Sequence, residues 1–437
     1  MQISVFPQDP RPSGWYMTMP SAPPPVRRLE GEQKADWVVV GAGFTGVAAA
    51  RRLAELAPDA RVVLIEAQRA GMGASGRNSG FVIDAPHNSD ASAAEMEANQ
   101  RVLRLNRFAI DWLEELVEKH QIRCHWARRG QYRVAATQAG SKGAEPILTL
   151  AGKLRLESER LTRDQIASRL GTRYYQDAVY QPGTVLMQPA ALVSGLAHTM
   201  PANVDVFEES PVIGFEAGPP HRLRTAEGEI TTPHLILATN GFTDGWGFLE
   251  NRLVRLVTYA TLTEPLSDRQ LQQLGSDPNW GVTCTIRMGS TVRRTADNRL
   301  MMRNCFRYGG DTAVGDRELA RARKSHLKSV TDRYPDLGPV EIVTTWGGFV
   351  CLSANAAPYW GGLAPGIFAS VCCNGVGVPK GTFAGRAIAE YALGRDTELV
   401  REMMTFPQAA NHGLGPLIGP ATSLRLAWTQ YRAGKEH

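Results

Sequence analysis

The chain has no apolar run approaching the roughly 18 residues that cross a bilayer. A transmembrane segment is therefore not expected. Its first residues, MQISVFPQDPRPSGWYMTMP, lack the basic stretch and apolar core of a secretory leader. Six cysteines (Cys124, Cys284, Cys305, Cys351, Cys372 and Cys373) contain no C-x-x-C pair and no disulfide rhythm. They read as reduced, buried thiols, and the expected location is cytoplasmic. No metal site is expected. Charge of one sign is also scarce: the net +5 is scattered, apart from Arg128-Arg129 and the run Arg321 to Lys328. With no aromatic platforms beside them, these clusters read as solvated helix faces, so nucleic acid is not an expected partner. Internal repeats and low-complexity tracts are absent.

Hydrophobic residues make up 43% and charged residues 21%, the balance of a folded globular protein. At 437 residues the chain exceeds one ordinary core, so two domains or one elaborate α/β unit are expected. Residues 1–33 carry seven prolines up to Pro25 and read as an extended arm, on the body or loose in solvent. A βαβ unit follows: an apolar strand at Trp37 to Val40, an alanine-rich helix at Gly46 to Leu56, and a strand at Arg61 to Ile65. A long helix is predicted over Ala94 to Lys119, with others at Glu318 to Arg333 and Phe383 to Leu393. Strand-like blocks fill His125 to Val134, Tyr174 to Val185, Val204 to Gly241 and much of Leu253 to Arg303. The alternation predicts a parallel nucleotide-binding domain interleaved with an antiparallel one.

Gly41-Ala42-Gly43-Phe44-Thr45-Gly46 is G-x-G-x-x-G between a predicted strand and a predicted helix, the context in which that motif holds a dinucleotide. Gly41 permits the tight turn, Gly43 the approach of backbone to pyrophosphate, and Gly46 close helix–strand packing. Amides at the helix start face the phosphate. Glu66, 20 residues past Gly46, is positioned to accept from ribose hydroxyls. A second glycine-rich stretch, GMGASGRNSG from Gly71 to Gly80, begins five residues later. An NAD enzyme has no need of it. A flavin requires the chain to return along the pyrophosphate toward the ring, and Ser75, Arg77 and Asn78 offer hydrogen bonds there. The cofactor expected is FAD.

These motifs resemble the FAD-dependent oxidoreductases of the glycine/D-amino acid oxidase (DAO) family, and most closely their bacterial γ-glutamylputrescine oxidase-like branch. The resemblance rests on GxGxxG, the pair Glu66-Ala67 and Gly73-Ala74-Ser75-Gly76-Arg77-Asn78-Ser79-Gly80. Two later blocks agree: TADNRLMM (Thr295 to Met302), similar to a family strand, and CNGVGVPKGTFAGRAIAEYALGRD (Cys373 to Asp396), similar to its C-terminal flavin block. The resemblance spans roughly residues 35–405. It implies an α/β fold, α+β overall, with a Rossmann-like FAD-binding domain interleaved with an antiparallel-sheet substrate domain. The expected division is an arm at 1–33, an FAD-binding domain at 34–115, 178–250 and 344–408, a substrate domain at 116–177 and 251–343, and a tail at 409–437. It further implies that Val212 meets the adenine, that Ala238, Thr239 and Gly241 pass the pyrophosphate or ribose, and that Gly375, Val376, Gly377 and Val378 lie under the flavin's pyrimidine edge. Backbone amides at that helix start could stabilise charge on the reduced ring.

The implied chemistry is hydride removal from a carbon bound to nitrogen, with FAD as acceptor, oxygen or another acceptor reoxidising it. A pocket of low polarity favours the neutral amine this requires. Wall candidates are Trp346, Phe306, Tyr308, Tyr359 and Trp360. The family's W-x-G-x-R carboxylate clamp is missing, since TTWGGFVCL puts Val350 where its arginine stands. The flavin-block lysine of the family's sarcosine oxidase-like members falls on Pro379, with Lys380 next to it. The cysteine through which those same members tether flavin falls near Gly348, with Cys351 out of register, so FAD is expected to be non-covalent. A carboxylate-bearing substrate then needs another cation, and Arg303, Arg307, Arg77 and Lys380 are candidates. The substrate classes expected are γ-glutamylated or other secondary amines and cyclic or N-substituted, pipecolate-like amino acids. The alternative is a non-catalytic or redox-sensing flavoprotein.

Overall fold

A computed structural model describes residues 1–86, 92–286 and 288–437. A six-stranded sheet runs in the order Val204–Phe207, Val62–Ile65, Trp37–Val40, His234–Leu237, Ile367–Val371, Tyr359–Ala364. Its first five strands are parallel and the last is antiparallel. Every residue of Trp37–Val40 and Val62–Ile65 is buried. Alternate side chains feed different cores. Trp37, Val39, Val62 and Leu64 pack with the helices, whereas Val38, Val40, Val63 and Ile65 pack with Phe215, Leu223 and Ile230 on the other face. That second face is covered by a four-stranded sheet built from Gly31–Lys34, Gly228–Thr232, His221–Arg224 and Gly214–Glu216. Continuous apolar strands are what this two-sided burial demands.

On the helical face, Phe44–Leu56 lies against Gly377–Ala392 so closely that a Cβ on Gly385 would stand 2.2 Å from the carbonyl oxygen of Thr45. The second of these helices begins six residues before the expected Phe383. Pro379 sits in its first turn, where a missing N–H costs nothing. The long helix spans Ala93–Lys119, close to expectation.

The second large sheet has eight strands, in the order Ile342–Leu352, Val254–Thr263, Leu300–Tyr308, Thr291–Arg294, Trp280–Cys284, Gln131–Ala135, Asp177–Gln181, Glu159–Leu161. It is antiparallel except where Trp280–Cys284 meets Gln131–Ala135 in parallel, a pair no hairpin joins. Two details differ from the sequence reading. Ile342–Leu352, expected mostly with the cofactor unit, hydrogen-bonds along Val254–Thr263 in this sheet. TADNRLMM is a turn as well as a strand: Thr295 to Arg299 close a hairpin, with Asn298 at φ +61°, before Leu300–Tyr308 begins.

The proline-rich arm is ordered on the body. It forms a helical turn at Gly14–Met17 and, past its last proline, the strand Gly31–Lys34, paired in parallel with Gly228–Thr232. Ile3, Trp15 and Leu29 are buried. The tail at 409–437, which the resemblance does not cover, contains the helix Ile418–Ala433.

Candidate active site

A cavity of about 610 Å³ opens at the carboxyl ends of the parallel strands and continues between the two large sheets. That volume lies within the range of ligand pockets, about 300–1,000 Å³. Its walls include Gly41, Gly43, Phe44, Thr45, Glu66, Ala67, Gly73, Ala74, Ser75, Arg77, Asn78, Ser79, Val212, Ala238, Thr239, Gly375, Val376, Gly377 and Val378. Residues from five distant stretches of chain thus converge on one space, which is the position of ligand sites in open parallel sheets.

The local reasons are visible. Gly41 holds φ +102°, a left-handed conformation suited to glycine, and a Cβ there would come within 2.9 Å of the carbonyl oxygen of Ala238. The Oε2 atom of Glu66 accepts the amide of Ala42 at 2.7 Å and its Oε1 accepts that of Gln68 at 3.0 Å. Burial pushes this carboxyl above its ordinary range, and the two amides pull it back. Each carboxylate oxygen keeps lone-pair capacity for a further donor. Ser75 Oγ accepts the amide of Phe44 at 3.1 Å and so links the two glycine loops.

Some expected residues stand outside the lining. A Cβ on Gly46 would lie 1.8 Å from the carbonyl oxygen of Gly41, so this glycine serves the strand–helix contact. Gly80 backs onto the Arg293 guanidinium and the Met187 carbonyl, and Gly241 packs on Arg255 and Cys351. Arg77 reaches the wall, but its guanidinium is committed elsewhere: it donates to the carbonyls of Met72, Gly347 and Arg11 and pairs with Asp9. Asn78 spends its side chain on Ser75 O and the Gly80 amide. The Arg77 guanidinium is therefore not a free cation for phosphate, and Asn78 keeps one Nδ2 hydrogen beyond its bond to Ser75.

Of the pocket candidates, Arg303 and Lys380 line the cavity and Arg307, Tyr308 and Trp346 do not. Arg307 bonds Tyr259 Oη and Asp311. Tyr308 packs beside Gly310 and Gly419. Trp346 is buried against Trp15 and donates to the carbonyl of Arg77 at 3.2 Å. Phe306 is the one expected aromatic wall that lines the space; Tyr359 and Trp360 do not. Arg303 lies directly across the strand pair from Thr291, donates to its Oγ1 at 2.6 Å, and has its guanidinium 5.1 Å from the Phe306 ring centroid. Burial pushes it down to about 10. Burial likewise lowers Lys380. Among the described residues, no carboxylate is within salt-bridge reach of either cation. Val350 lines the cavity where the family's arginine would stand, and Cys351 is buried outside the lining.

Other lining residues were not singled out from sequence. Ile3, Val5, Phe6 and Pro7 bring the arm to the cavity, and Thr258, Thr283 and Thr291 supply hydroxyls from the eight-stranded sheet. Threonines on strands carry no motif; only the cross-strand register brings Thr291 to Arg303. Cys372 and Cys373 also line the space.

A family model described as FAD dependent oxidoreductase (DAO) matches residues 36–391. The chain is 26% identical over 388 residues to a probable oxidoreductase OrdL of Haemophilus influenzae, covering 86% of each protein. It is 26% identical over 427 residues to the gamma-glutamylputrescine oxidoreductase of Escherichia coli, covering 96% of this chain and 98% of that one. Among solved structures, glycine oxidase from Geobacillus kaustophilus superposes with a TM-score of 0.69 at 18% identity, over 87% of this chain and 99% of that one. L-Proline dehydrogenase from P. horikoshii does so with 0.67 at 16%, over 84% and 96%. Those two likenesses show the fold. Because the family match runs from the first parallel strand through most of the last helix packed on that sheet, the protein belongs to the DAO family of FAD-dependent oxidoreductases.

Proposed function

We propose that this enzyme oxidises the C–N bond of an amine substrate that carries a carboxylate, in the class of N-substituted or cyclic amino acids and γ-glutamylated polyamines. The observation that carries this reading is Arg303: a half-buried cation facing the cavity with no carboxylate partner among the described residues. An unpaired buried charge is costly, and an anionic ligand group offsets that cost.

The cavity fits FAD. Gly41 and Gly43 leave the phosphate turn without side chains, Ser75 keeps a hydroxyl proton for a phosphate oxygen, and Glu66 retains acceptor capacity for ribose. FAD, when bound, supplies a two-electron acceptor for hydride. The chain's own residues do the rest. Gly377 to Lys380 form the first turn of Gly377–Ala392, and the amides of Gly377 and Val378 present positive partial charge to the cavity. Arg303 holds the substrate carboxylate, with Thr291 fixing the guanidinium and Phe306 supplying an apolar wall. Loss of hydride and of the nitrogen's proton leaves an imine, which water hydrolyses. The tether position falls near Gly348, which lines the cavity without a thiol, and FAD is held non-covalently: acid precipitation should leave the yellow colour in the supernatant.

The test is anaerobic bleaching of the flavin absorbance by γ-glutamyl polyamines, simple amines, D- and L-amino acids, and cyclic or N-methyl amino acids. Selective bleaching by carboxylated members is expected. Bleaching by simple amines alone would overturn the role of Arg303, and no bleaching at all would favour a non-catalytic flavoprotein. Reoxidation by oxygen or by an added quinone then identifies the class of acceptor.

A further inference from the structure

The tail helix Ile418–Ala433 is amphipathic in an unusual sense: it is held on one side and leaves a second apolar stripe facing outward. The held side is well defined. Leu426 and Ala433 are buried. Gln430 brackets Phe306, accepting its amide at 3.1 Å and donating to its carbonyl at 3.3 Å. Beyond the helix, His437 Nε2 accepts the amide of Cys305, and the buried Glu436 carboxylate accepts the amides of Ala136 and Thr137. The helix is therefore anchored rigidly at one face and at its end.

On the opposite face, Leu417, Leu424 and Tyr431 recur every seven residues, and Trp428 falls four after Leu424. At 100° per residue these four lie within a narrow stripe, about half a turn from Leu426. They are 64%, 75%, 80% and 61% exposed in the order Leu417, Leu424, Tyr431, Trp428. They are among the most exposed of the large hydrophobic residues, and a contiguous patch of this kind marks an interaction surface.

The charge around the stripe says what kind of surface covers it. From Ala409 to Lys435 there is no aspartate or glutamate, while Arg425, Arg432 and Lys435 are exposed and have no ion-pair partner among the described residues. Arg425 and Arg432 lie on one flank of the stripe, and Lys435 is exposed just past the helix end. We propose that this helix lies flat on an anionic lipid surface, with Leu417, Leu424, Trp428 and Tyr431 entering the headgroup–acyl boundary and the three cations meeting lipid phosphates. An aromatic pair at that depth and cations beside it are what an interfacial helix needs. Each cation near an anionic bilayer contributes on the order of 1 kcal/mol. Spanning is excluded by length, because 16 residues rise only about 24 Å against a hydrocarbon core of about 30 Å. A second copy of this chain is a poorer occupant. A two-fold contact through the stripe would bring Arg425 and Arg432 of each helix together, with no carboxylate on either helix to pair them.

The experiment is sedimentation of the FAD-loaded full chain with vesicles of phosphatidylcholine alone, and of phosphatidylcholine with roughly a third phosphatidylglycerol. Binding to the anionic vesicles is expected, at least ~10-fold above the neutral ones and weakened by ~0.5 M salt. The double variant Leu424→Ser/Trp428→Ser should lose most of this binding while keeping FAD content and melting temperature. Arg425→Glu/Arg432→Glu should lose it with the apolar stripe intact. Equal binding to neutral and anionic vesicles, no vesicle binding, or binding that both variants retain would each overturn the proposal. A native mass that halves in the apolar variant would overturn it in favour of a second copy.

Discussion

Arg77 and Asp9 pair inside the protein, with Arg77 Nη1 standing 3.4 Å from Asp9 Oδ2 and each side chain 5% exposed. The same guanidinium donates to the carbonyl of Arg11 at 2.5 Å and to that of Gly347 at 3.0 Å. One buried cation thus ties the arm, the second glycine loop and the strand Ile342–Leu352 together. The arm then brings Ile3, Phe6 and Pro7 to the cavity wall. Asp9→Ala leaves Arg77 without its counter-ion, and breaking a buried pair from one side costs about 3–5 kcal/mol. The expected outcome is a lower melting temperature and at least ~10-fold weaker FAD retention, read from the fluorescence of released flavin. Wild-type retention would show that the arm is not part of the cofactor's enclosure.

Two neighbouring glycines should fail differently. A Cβ on Gly43 would lie 2.7 Å from Ser75 Oγ, a side-chain atom that can rotate aside, whereas one on Gly46 would lie 1.8 Å from the backbone oxygen of Gly41. Gly43→Glu is expected to fold but to purify colourless, with bulk and negative charge beside the phosphate turn. Gly46→Ala is expected to destabilise the fold itself. Circular dichroism melting beside the flavin-to-protein absorbance ratio separates the two, and a yellow Gly43→Glu protein would contradict the assignment of the phosphate turn.

Arg303 is expected to set selectivity for the carboxylate. Removing a charge-assisted hydrogen bond costs about 3 kcal/mol, so Arg303→Met should lower kcat/KM for a carboxylated substrate by ~100-fold. Arg303→Lys should recover part of the loss, and Thr291→Val, which frees the guanidinium from its 2.6 Å bond, should cost less than Arg303→Met. The corresponding descarboxy amine serves as control. An equal loss for both substrates would make Arg303 structural.

Stability should depend on His326. This ring is buried between Thr261 Oγ1, 2.7 Å from Nδ1, and the Asn304 amide, which donates to Nε2 at 3.3 Å. Burial pushes it down to about 3, with positive potential from His437 and Arg303 acting in the same direction. An unfolded histidine titrates near 6.5. Between those values the unfolded chain binds a proton that the folded chain does not, so stability falls as pH drops from about 6.5 toward about 3. Melting temperatures measured from pH 7 to pH 5 should fall less steeply in His326→Gln than in wild type. Parallel slopes would contradict the prediction.

The parts legible in the sequence are those whose physics is local. A strand running into Gly41, a helix opening within three residues, an acid 20 residues past Gly46 and a second glycine stretch all follow from what consecutive backbone must do around a phosphate. The helix at Gly377 was harder to bound, because Pro379 looks like a breaker unless its place in the first turn is known. Aromatic walls were the least legible: Trp346 and Trp360 have the composition of a pocket and the burial of a core.

By itself, then, the sequence determined a dinucleotide-binding βαβ unit, a second loop suited to a flavin, and membership of a family that uses FAD. Only the tertiary structure decided which charges face the cavity. Arg77 looked free for phosphate and is spent on carbonyls of the arm and of Gly347, 270 residues away. Arg307 is bound to Asp311, while Arg303, four residues earlier on the same strand, faces the cavity. The reason is physical: a motif specifies backbone shape over a few residues, but the partner of a buried charge is chosen by segments far apart in sequence that meet only when the sheets pack.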